Sequence, residues 1–596
     1  MSLRDVLSPY TAWKHLFEAP VTIKDPIGRE AAERYRGFHQ NDLSKCIGCG
    51  SCEDICQNAA IDMVPVSDPK TGDSGLRPMI DYGRCCWCAL CVDVCMTGSL
   101  TMSNEYTWVD SDPDAFRFTP GVDLKSWDAE EKGYKRENNE RRLTGTHRPE
   151  MGMLEPEARI ASFGEIVHGY TRAEAVIEAD RCVECGLCVA TCPAHMDIPD
   201  YIRKVREGDY EGGLKLLYET NPFSQTCGRV CTHACETACA AVHEGDAIAI
   251  RWLKRDITDN VPRERYFDLI SKPDVPETGK KVAIVGAGPG GLTTAFDLAR
   301  AGNEVVVFEA LPKPGGMMRY GIPEYRLPYD VLDHEISVIE KMGVDIRCNQ
   351  RIGTDITLDQ LKKDHDAVVL SLGLNQGRST RVPGSEEAES AIDLLRRITA
   401  GDKVPVPKQV AIIGGGNVAM DIARSMARLQ RQKHGEVGVT VTALEDFDHF
   451  LADDEEVEEA REEGCVIYDA RGPQEIVVKS GKVAGLRTWK CKAIFDAEGR
   501  FAPKYDASDE MVHPAQMVVE AIGQSADISL LGAELTEKLE WNRGRIRIDQ
   551  NGRTSEPWLW AAGDLVSGPD VIHAVADGHR VAKSVSAMLQ ATRETH

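Results

Sequence analysis

Residues 280–310 read KKVAIVGAGPGGLTTAFDLARAGNEVVVFEA, and this stretch decides the fold of the chain. An apolar strand at residues 282–285 runs directly into a glycine loop, and a helical pattern at 292–301 follows it. A second apolar strand, residues 305–308, ends at an acidic residue. Strand, glycine turn, helix, strand and acid in this order are the βαβ fingerprint of a dinucleotide-binding domain.

Each defining position of this fingerprint has a physical role. Gly286 permits the tight turn, Gly288 lets the backbone approach a pyrophosphate, and Gly291 lets the helix pack on the strand. The helix N-terminus faces the phosphates, and Glu309 stands at the right distance to accept hydrogen bonds from a ribose. An ordinary glycine-rich turn would not account for both strands, the helix and the acid together.

A second fingerprint begins at Gln409, in QVAIIGGGNVAMDIARSMARL. Two such folds in one chain predict a division of labour, with FAD on the first and NAD(P) on the second. The strand at residues 439–444 ends in Glu445-Asp446, whose carboxylates would repel a 2′-phosphate, whereas Glu445 can accept from a ribose 2′-hydroxyl. We therefore predict NAD(H) over NADP(H). The predicted loop residues are Gly414, Gly416, Asn417 and Ala419.

The totals restrict the class of protein. In 596 residues, 70 basic and 95 acidic side chains leave a net charge of −25, which disfavours nucleic acid or an anionic membrane as a partner. The sequence shows neither a signal peptide nor an apolar run of the roughly 18 residues that a transmembrane segment needs. We expect a cytoplasmic protein. The acidic run at residues 453–463 is interpreted as a solvated helix face.

Seventeen of the twenty cysteines fall in two regions with metal-ligand spacing. The first region repeats C-x2-C-x2-C-x3-C twice, and in that pattern the fourth cysteine of each run ligates the other cluster. Zinc is disfavoured, because it does not need two overlapping quartets. Cys86 is surplus. One predicted [4Fe-4S] set is Cys46, Cys49, Cys52 and Cys95; the other is Cys85, Cys88, Cys91 and Cys56.

This first region resembles eight-iron ferredoxins, and in particular the peripheral two-cluster subunit of respiratory complex I, down to the DYGRC sequence that ends at Cys85. The proline usual after each fourth cysteine is replaced by Gln57 and Met96. The resemblance implies an α+β ferredoxin-like domain that exchanges electrons with a protein partner.

The second cysteine region has a quartet in RCVECGLCVATCP and another in NPFSQTCGRVCTHACETAC, with a helical pattern at residues 198–217 between them. It resembles the N-terminal domain of the glutamate synthase small subunit and the front half of dihydropyrimidine dehydrogenase. That resemblance implies a small helical domain with two more cubanes, four in all. The predicted ligands are Cys182, Cys185, Cys188, Cys192, Cys227, Cys231, Cys235 and Cys239.

One ligand of this region stays open. In the related family a Glu or Gln on the helix after the last cysteine can complete a cluster, but the corresponding place here is Leu253-Lys254-Arg255. Either Cys227 completes the second cluster or that cluster is incomplete. We favour Cys227.

The same resemblance implies further FAD contacts. PGGMMRYGIPEYRLP, residues 314–328, is nearly a signature of the glutamate synthase small-subunit family, and it implies contacts from Gly316 and Arg326. WLWAAGD and the helix after it imply Gly563, Asp564 and Ala574, and we interpret His573 as a packing or flavin contact. Residues 310–343 contain no cysteine, so thiol–disulfide exchange is not the predicted chemistry.

The predicted architecture is multidomain: an α+β ferredoxin-like domain, a small helical iron–sulfur domain and two α/β Rossmann-like domains. The boundaries are 1–36 arm with an amphipathic helix, 37–106 ferredoxin, 107–165 charged linker, 166–275 helical iron–sulfur domain, 276–400 FAD domain, 401–515 NAD(P) domain, and 516–596 return to the FAD domain.

Together these motifs predict an iron–sulfur flavoprotein oxidoreductase that passes electrons between NADH and a protein partner, as the electron-input subunit of a hetero-oligomer. Since the cofactors carry the chemistry, no catalytic side chain is nominated. The alternative is a glutamate synthase small subunit that serves a glutamate-forming large subunit. A relay module that binds no nucleotide productively is disfavoured by the intact second fingerprint. Whether the complex bifurcates electrons, as related transhydrogenases do, stays open.

Overall fold

The computed structural model describes residues 31–67, 73–136, 145–243 and 245–594. The amphipathic helix predicted for the N-terminal arm lies outside the described residues. The chain divides into two compact units, the first containing 1–148, 181–187 and 238–248, and the second containing the remainder. This division differs from the predicted boundaries, because the helical iron–sulfur region contributes residues to both units.

The first unit contains the ferredoxin-like domain. Each cysteine run leads into a short helix, Ser51–Asp54 or Leu90–Asp93. The strand Leu76–Asp81 pairs antiparallel with both Ile61–Pro65 and Arg117–Phe118, and His39–Asn41 pairs with Leu100–Met102. The apolar core of this domain includes Ile61, Ile80, Ala89, Val92, Leu100 and Met102.

The predicted linker starts too early at residue 107. Phe118 is 2% exposed and Trp127 4% exposed, and both pack with Phe38 in an aromatic cluster on the ferredoxin domain. The sequence did not indicate that these rings are buried, because the segment is highly charged and its few aromatic side chains lie between exposed polar residues. Short helical turns here are Pro113–Phe116 and Ser126–Ala129.

The helical part of the second unit holds most of the second cysteine region. The helix predicted over 198–217 is two helices, Ile198–Glu207 and Tyr210–Thr220, because Gly208 ends the first with φ +74°. The helix Ile250–Asn260 packs against both of them. The other helices of this part are Pro156–Ala161, Arg172–Asp180, Ser224–Val230, Ala234–Thr237 and Arg263–Leu269; Leu187–Thr191 begins at the last residue of a first-unit segment, and the short helix Ala240–His243 belongs to the first unit.

The first dinucleotide domain is built on a parallel sheet. Its strands, apart from the edge strand Val344–Arg347, are mostly buried apolar runs, as expected where helices cover both faces. Its helices are Pro289–Arg300, Met317–Tyr320, Tyr329–Lys341, Leu358–Asp364, Gly532–Lys538 and Val571–Glu594. The strand order is Leu559–Ala561, Ala367–Leu370, Lys281–Val285, Glu304–Phe308, Val344–Arg347.

The second dinucleotide domain has its own parallel sheet. The strand Met517–Glu520 pairs with Val410–Ile413 in this sheet, so the prediction that the FAD domain resumes at residue 516 is wrong for this strand. The chain returns to the first sheet only after Glu520. The domain's helices are Ala391–Thr399, Asn417–His434 and Asp454–Glu462. The strand order is Glu389–Ser390, Met517–Glu520, Val410–Ile413, Val439–Thr442, Val466–Tyr468.

An antiparallel sheet of long strands is inserted between the last two strands of this domain along the chain. Its strands are Arg471–Lys479, Lys482–Phe495 and Phe501–Pro514. Two-residue strands pair Gln376–Gly377 with Gln524–Ser525, and Trp541–Asn542 with Arg545–Ile546. Among the helices of the described ranges, none is both long and apolar enough to cross a bilayer.

The acidic run at residues 453–463 is not simply a solvated face. Glu463 is 2% exposed, and it accepts hydrogen bonds from Arg424 and Arg428, both fully buried on Asn417–His434. Glu456 also pairs with Arg424. The prediction failed because the partner arginines lie 39 and 35 residues upstream of Glu463, on a helix whose sequence resembles an ordinary polar surface helix.

Candidate functional site: two glycine cradles and the cysteine sets

The first glycine loop is shaped for close backbone approach. Gly286 has φ +106°, and a Cβ there would lie 2.2 Å from the Ser371 carbonyl oxygen. A Cβ on Gly316 would lie 2.7 Å from the Gly288 Cα, so the 314–328 segment meets the fingerprint loop directly. A Cβ on Gly291 would meet the Gly286 oxygen at 2.1 Å. These positions form a cradle without side chains at the N-terminus of Pro289–Arg300.

Glu309 closes one side of this cradle. Its carboxylate accepts a hydrogen bond from the Ala287 amide in the loop at 2.9 Å and from the Leu311 amide at 2.8 Å. Burial raises the pKa of Glu309, and these backbone donors oppose the shift. The acid therefore stands where the fingerprint places a ribose.

The C-terminal signature meets the same cradle. A Cβ on Gly290 would lie 3.3 Å from the Ala574 carbonyl oxygen and 3.4 Å from the Gly563 nitrogen. Gly563 donates its amide to Asp577 at 3.2 Å. Burial raises the pKa of the neighbouring Asp564 to about 6. Segments predicted from three separate motifs thus converge on one point, which fits an FAD site.

Arg326 is held differently. Its guanidinium donates to Asp421 at 2.8 Å and pairs with Glu456 at 2.7 Å, both in the second dinucleotide domain. Its contact with FAD stays a prediction. His573 pairs with Asp570, with Nδ1 and Oδ1 2.7 Å apart.

The second cradle has the same construction. Gly414 has φ +141°, and a Cβ there would lie 2.3 Å from the Ala521 oxygen. A Cβ on Gly415 would lie 3.1 Å from Glu445 Oε2, so this carboxylate stands directly over the loop. The helix Asn417–His434 starts after Gly416, and Ala419 is fully buried in it. The loop fits a dinucleotide whose adenosine ribose faces Glu445.

Asn417 links this loop to the next helix. Its side-chain oxygen accepts from the Asp453 amide at 2.9 Å, and its nitrogen donates to the Asp453 carboxylate at 3.2 Å. Asp453 caps Asp454–Glu462. Asn417 therefore fixes the position of the acidic helix relative to the loop.

The ferredoxin cysteines form two sets. A cavity of about 70 Å³ is lined by Cys56, Cys85, Cys88 and Cys91, the crossed set expected for one cubane, and also by the surplus Cys86. Burial raises the pKa of Cys52 well above its usual range, and the sulfurs of Cys49, Cys95, Cys91 and Cys46 add to this. No disulfide is formed among the cysteines of the described ranges.

His39 was not singled out from the sequence. It lines the same cavity, and its Nε2 lies 3.3 Å from Cys91 Sγ. Burial lowers its pKa to about 3, so the imidazole is neutral. No local pattern signals this contact, because residue 39 precedes the cysteine runs and reaches them only through the pairing of His39–Asn41 with Leu100–Met102.

The second cysteine region is divided between the units. In the first unit, burial raises the pKa of Cys182 to about 12, and the neighbouring sulfurs of Cys185 and Cys239 contribute. The second unit contains Cys188, Cys192, Cys227, Cys231 and Cys235. Within the described residues, no three His, Cys, Asp or Glu side chains converge as ligands of a single metal ion.

Lys254 lies among the cysteines of the second unit. It is 5% exposed, and the thiols whose charge acts on its ammonium are Cys231, Cys227, Cys192 and Cys235. It belongs to the segment Leu253-Lys254-Arg255, which corresponds by resemblance to the place of an acid or amide ligand. That Lys254 does not ligate iron stays a prediction.

A hydrogen-bond path joins these cysteines to the flavin signature. Thr232, next to Cys231, donates its hydroxyl to Asp570 at 2.9 Å. Asp570 in turn accepts from the His573 amide at 3.0 Å, at the start of the helix that carries Ala574. The cysteine set of the second unit is thus anchored at the FAD cradle.

Three family models match the chain. Residues 280–578, which contain both glycine cradles, match the pyridine nucleotide-disulphide oxidoreductase family. Residues 159–266 match dihydropyrimidine dehydrogenase domain II with its 4Fe-4S cluster, and residues 45–99 match a 4Fe-4S dicluster domain. The matched ranges coincide with the two cysteine regions and the two dinucleotide domains.

Relatives include the β subunit of an NADP(+)-dependent formate dehydrogenase from Moorella thermoacetica, 37% identical over 68% of this chain and 60% of that subunit. The PreT subunit of an NAD-dependent dihydropyrimidine dehydrogenase from Escherichia coli K12 is 34% identical over 72% of this chain and 97% of its own length. The small chain of the NADPH glutamate synthase from the same strain is 32% identical over 72% of this chain and 95% of its own.

Proposed function

We propose that this chain, which belongs to the pyridine nucleotide-disulphide oxidoreductase family, transfers electrons between NADH and a protein partner. Within the family it belongs with the iron–sulfur flavoprotein NAD(P)H oxidoreductase subunits, a group that includes PreT and the glutamate synthase small chain. It acts as the electron-input subunit of a larger complex. The observation that carries the proposal is the convergence of Gly288, Gly316 and Gly563 on one cradle, with a second cradle under Glu445.

The chain's own groups bind and orient the cofactors. Bound FAD would supply the change from two-electron hydride chemistry to single-electron transfer towards iron–sulfur clusters. The first glycine cradle and the N-terminus of Pro289–Arg300 receive its pyrophosphate, and Glu309 receives its ribose. The second cradle orients the nicotinamide nucleotide, with Glu445 at the adenosine ribose.

The cysteine sets are the proposed cluster ligands. Cys46, Cys49, Cys52 and Cys95 form one set, and Cys56, Cys85, Cys88 and Cys91 the next. In the second region the proposed ligands comprise both quartets. Cys227 is proposed as the fourth thiol of the cluster that Cys192, Cys231 and Cys235 hold beside Lys254.

Cys227→Ser should therefore lose the irons of that cluster. An unchanged iron content would mean that Cys192, Cys231 and Cys235 hold the cluster without Cys227.

The partner is proposed to be a protein. The match to PreT covers nearly all of that subunit yet leaves more than a quarter of this chain unmatched. The 4Fe-4S dicluster match at residues 45–99 supplies a further electron-transfer domain. A glutamate synthase small subunit would not need this domain, so we favour a different catalytic partner. Glutamate formation by the complex isolated from the native host would reverse that preference.

The test is an anoxic titration of the purified full chain with NADH. Bleaching of the flavin absorbance, followed by cluster reduction, is expected, with about sixteen irons per chain for four cubanes. A chain that holds FAD yet shows no bleaching with either nicotinamide nucleotide would overturn the proposal. About eight irons would mean that one cysteine region holds no cluster.

A further inference from the structure

Tyr201 carries a buried hydroxyl with no hydrogen-bond partner among the described residues. The side chain lies on Ile198–Glu207 and is 1% exposed. A buried hydroxyl without a partner is unfavourable, so its presence indicates a group that completes it. Burial raises the pKa of Tyr201 well above its usual range, and the nearby thiols of Cys235, Cys188, Cys192 and Cys231 add to this.

Lys254 approaches the same thiols from another helix. Ile250–Asn260 packs against Ile198–Glu207 within the second unit, and Lys254 is 5% exposed. Among the described residues it forms no ion pair with a carboxylate. Burial lowers the pKa of Lys254, but the nearby thiols of Cys231, Cys227, Cys192 and Cys235 outweigh this effect and raise it. A buried cation needs a compensating negative charge, which a thiolate-ligated cluster would supply.

We propose that the Tyr201 hydroxyl and the Lys254 ammonium are both directed at the cluster for which Cys192, Cys231 and Cys235 are proposed ligands, and that they stabilise its reduced state. The inference rests on the proposed function. Reduction adds one electron and one negative charge to the cluster; a hydrogen bond to its sulfurs and a nearby cation favour that charge, and both donors keep their protons.

The position of this cysteine set next to the flavin signature gives a raised reduction potential a role in electron transfer. Thr232 connects Cys231 to Asp570 at the flavin signature, so the set lies next to the proposed electron donor. A raised reduction potential makes this cluster the preferred first acceptor of single electrons from that site. Tyr201 and Lys254 are thus tuning residues, not cluster ligands and not catalytic residues.

The experiment is a redox titration of the full chain under anoxic conditions, followed by electron paramagnetic resonance. Tyr201→Phe and Lys254→Met should each lower the midpoint potential of the same cluster. Lys254→Arg, which keeps the positive charge, should keep the midpoint potential close to the wild-type value. For Lys254→Met we expect a roughly tenfold change in the one-electron equilibrium, about 59 mV. The other clusters should keep their potentials.

Tyr266→Phe is the matched control. Its hydroxyl is also buried in the second unit, but it donates to the Thr258 carbonyl oxygen at 2.7 Å and not to a cysteine set. This variant should leave every cluster potential unchanged. An equal shift in Tyr266→Phe and Tyr201→Phe would show a general packing effect and overturn the inference.

Iron content separates the remaining outcomes. Unchanged midpoints in Tyr201→Phe and Lys254→Met, with full iron, would overturn the inference and leave the proposed function standing. If Lys254→Met loses iron, Tyr201→Phe decides, since it removes only a hydroxyl. A wild-type chain without iron in this region would instead contradict the proposed function, and that result is visible before any variant is made.

Discussion

Gly316 shows how a single hydrogen in place of a side chain shapes the FAD cradle. Its φ is +54°, and a Cβ there would meet the Gly288 backbone at 2.7 Å. We expect Gly316→Ala to lower the flavin-to-protein ratio of the purified chain at least tenfold, because the loop must move away from the pyrophosphate position. The measurement is flavin absorbance after heat release.

Gly343→Ala is the control for this change. Gly343 also has a positive φ, +93°, but a Cβ there has no heavy atom within 4 Å. It therefore carries the backbone strain without the steric contact, and flavin content should stay at the wild-type level. Equal flavin loss in both variants would mean that strain alone, and not closure of the cradle, explains the result.

Glu445 is the residue at which nucleotide choice is tested. Its carboxylate stands over Gly415 in the second cradle, where a 2′-phosphate would be repelled. In the wild type, kcat/KM should be higher for NADH than for NADPH. Glu445→Arg should reverse the ratio by at least tenfold, since a guanidinium pairs with a phosphate.

Glu445→Gln distinguishes repulsion of the NADPH 2′-phosphate from recognition of the NADH ribose. It removes the charge but keeps a side-chain oxygen for the ribose hydroxyl, so kcat/KM for NADPH should rise while that for NADH changes little. A wild-type enzyme with the lower KM for NADPH would show that the interpretation of Glu445 is wrong.

At the scale of elements, the helix Asp454–Glu462 is tied down by buried charge. Arg424 and Arg428 both donate to Glu463, which follows this helix. Glu463→Gln should lower the free energy of unfolding by about 3–5 kcal/mol, because it leaves the buried Arg428 guanidinium without its counter-charge and removes one of the carboxylates that pair with Arg424. Thermal and denaturant unfolding of the full chain measure this loss, and the exposed Glu458→Gln should cost far less.

This contribution should depend on pH. The guanidinium groups of Arg424 and Arg428 hold the pKa of Glu463 below its usual value against the opposing effect of burial. A carboxyl with a lowered pKa in the folded state stabilises the protein above its unfolded pKa and loses that effect as the pH falls through its folded pKa. The stability difference between wild type and Glu463→Gln should therefore narrow below about pH 4.3; a constant difference would contradict the buried pairing.

At the scale of the whole molecule, the ferredoxin domain is proposed as the domain that transfers electrons to the protein partner. Cys88 is an exposed member of the set that lines the cavity with Cys56, Cys85 and Cys91. Cys88→Ser should remove about four irons and abolish reduction of the partner in the native complex, while NADH still bleaches the flavin. Cys465→Ser, outside the two cysteine regions, is the control; partner reduction at the wild-type rate in Cys88→Ser would exclude this role of the domain.

Local patterns in the chain specified the chemistry. Cysteine spacing predicted which thiols share a set, since three ligands of a cubane come from one short turn. The two glycine fingerprints predicted both cradles, because a positive φ and a missing Cβ are properties of single positions. The family comparisons confirm the oxidoreductase class and the flavin and iron–sulfur domains.

Folding decided everything that depends on partners distant along the chain. The strand Met517–Glu520 joined the second sheet rather than the first, which an apolar run alone cannot indicate, because either sheet would bury it. Arg424 and Glu463 are buried together only because two helices pack. Tyr201 and Lys254 look like ordinary helix residues in the sequence, and both are buried only because the helices that carry them pack against each other.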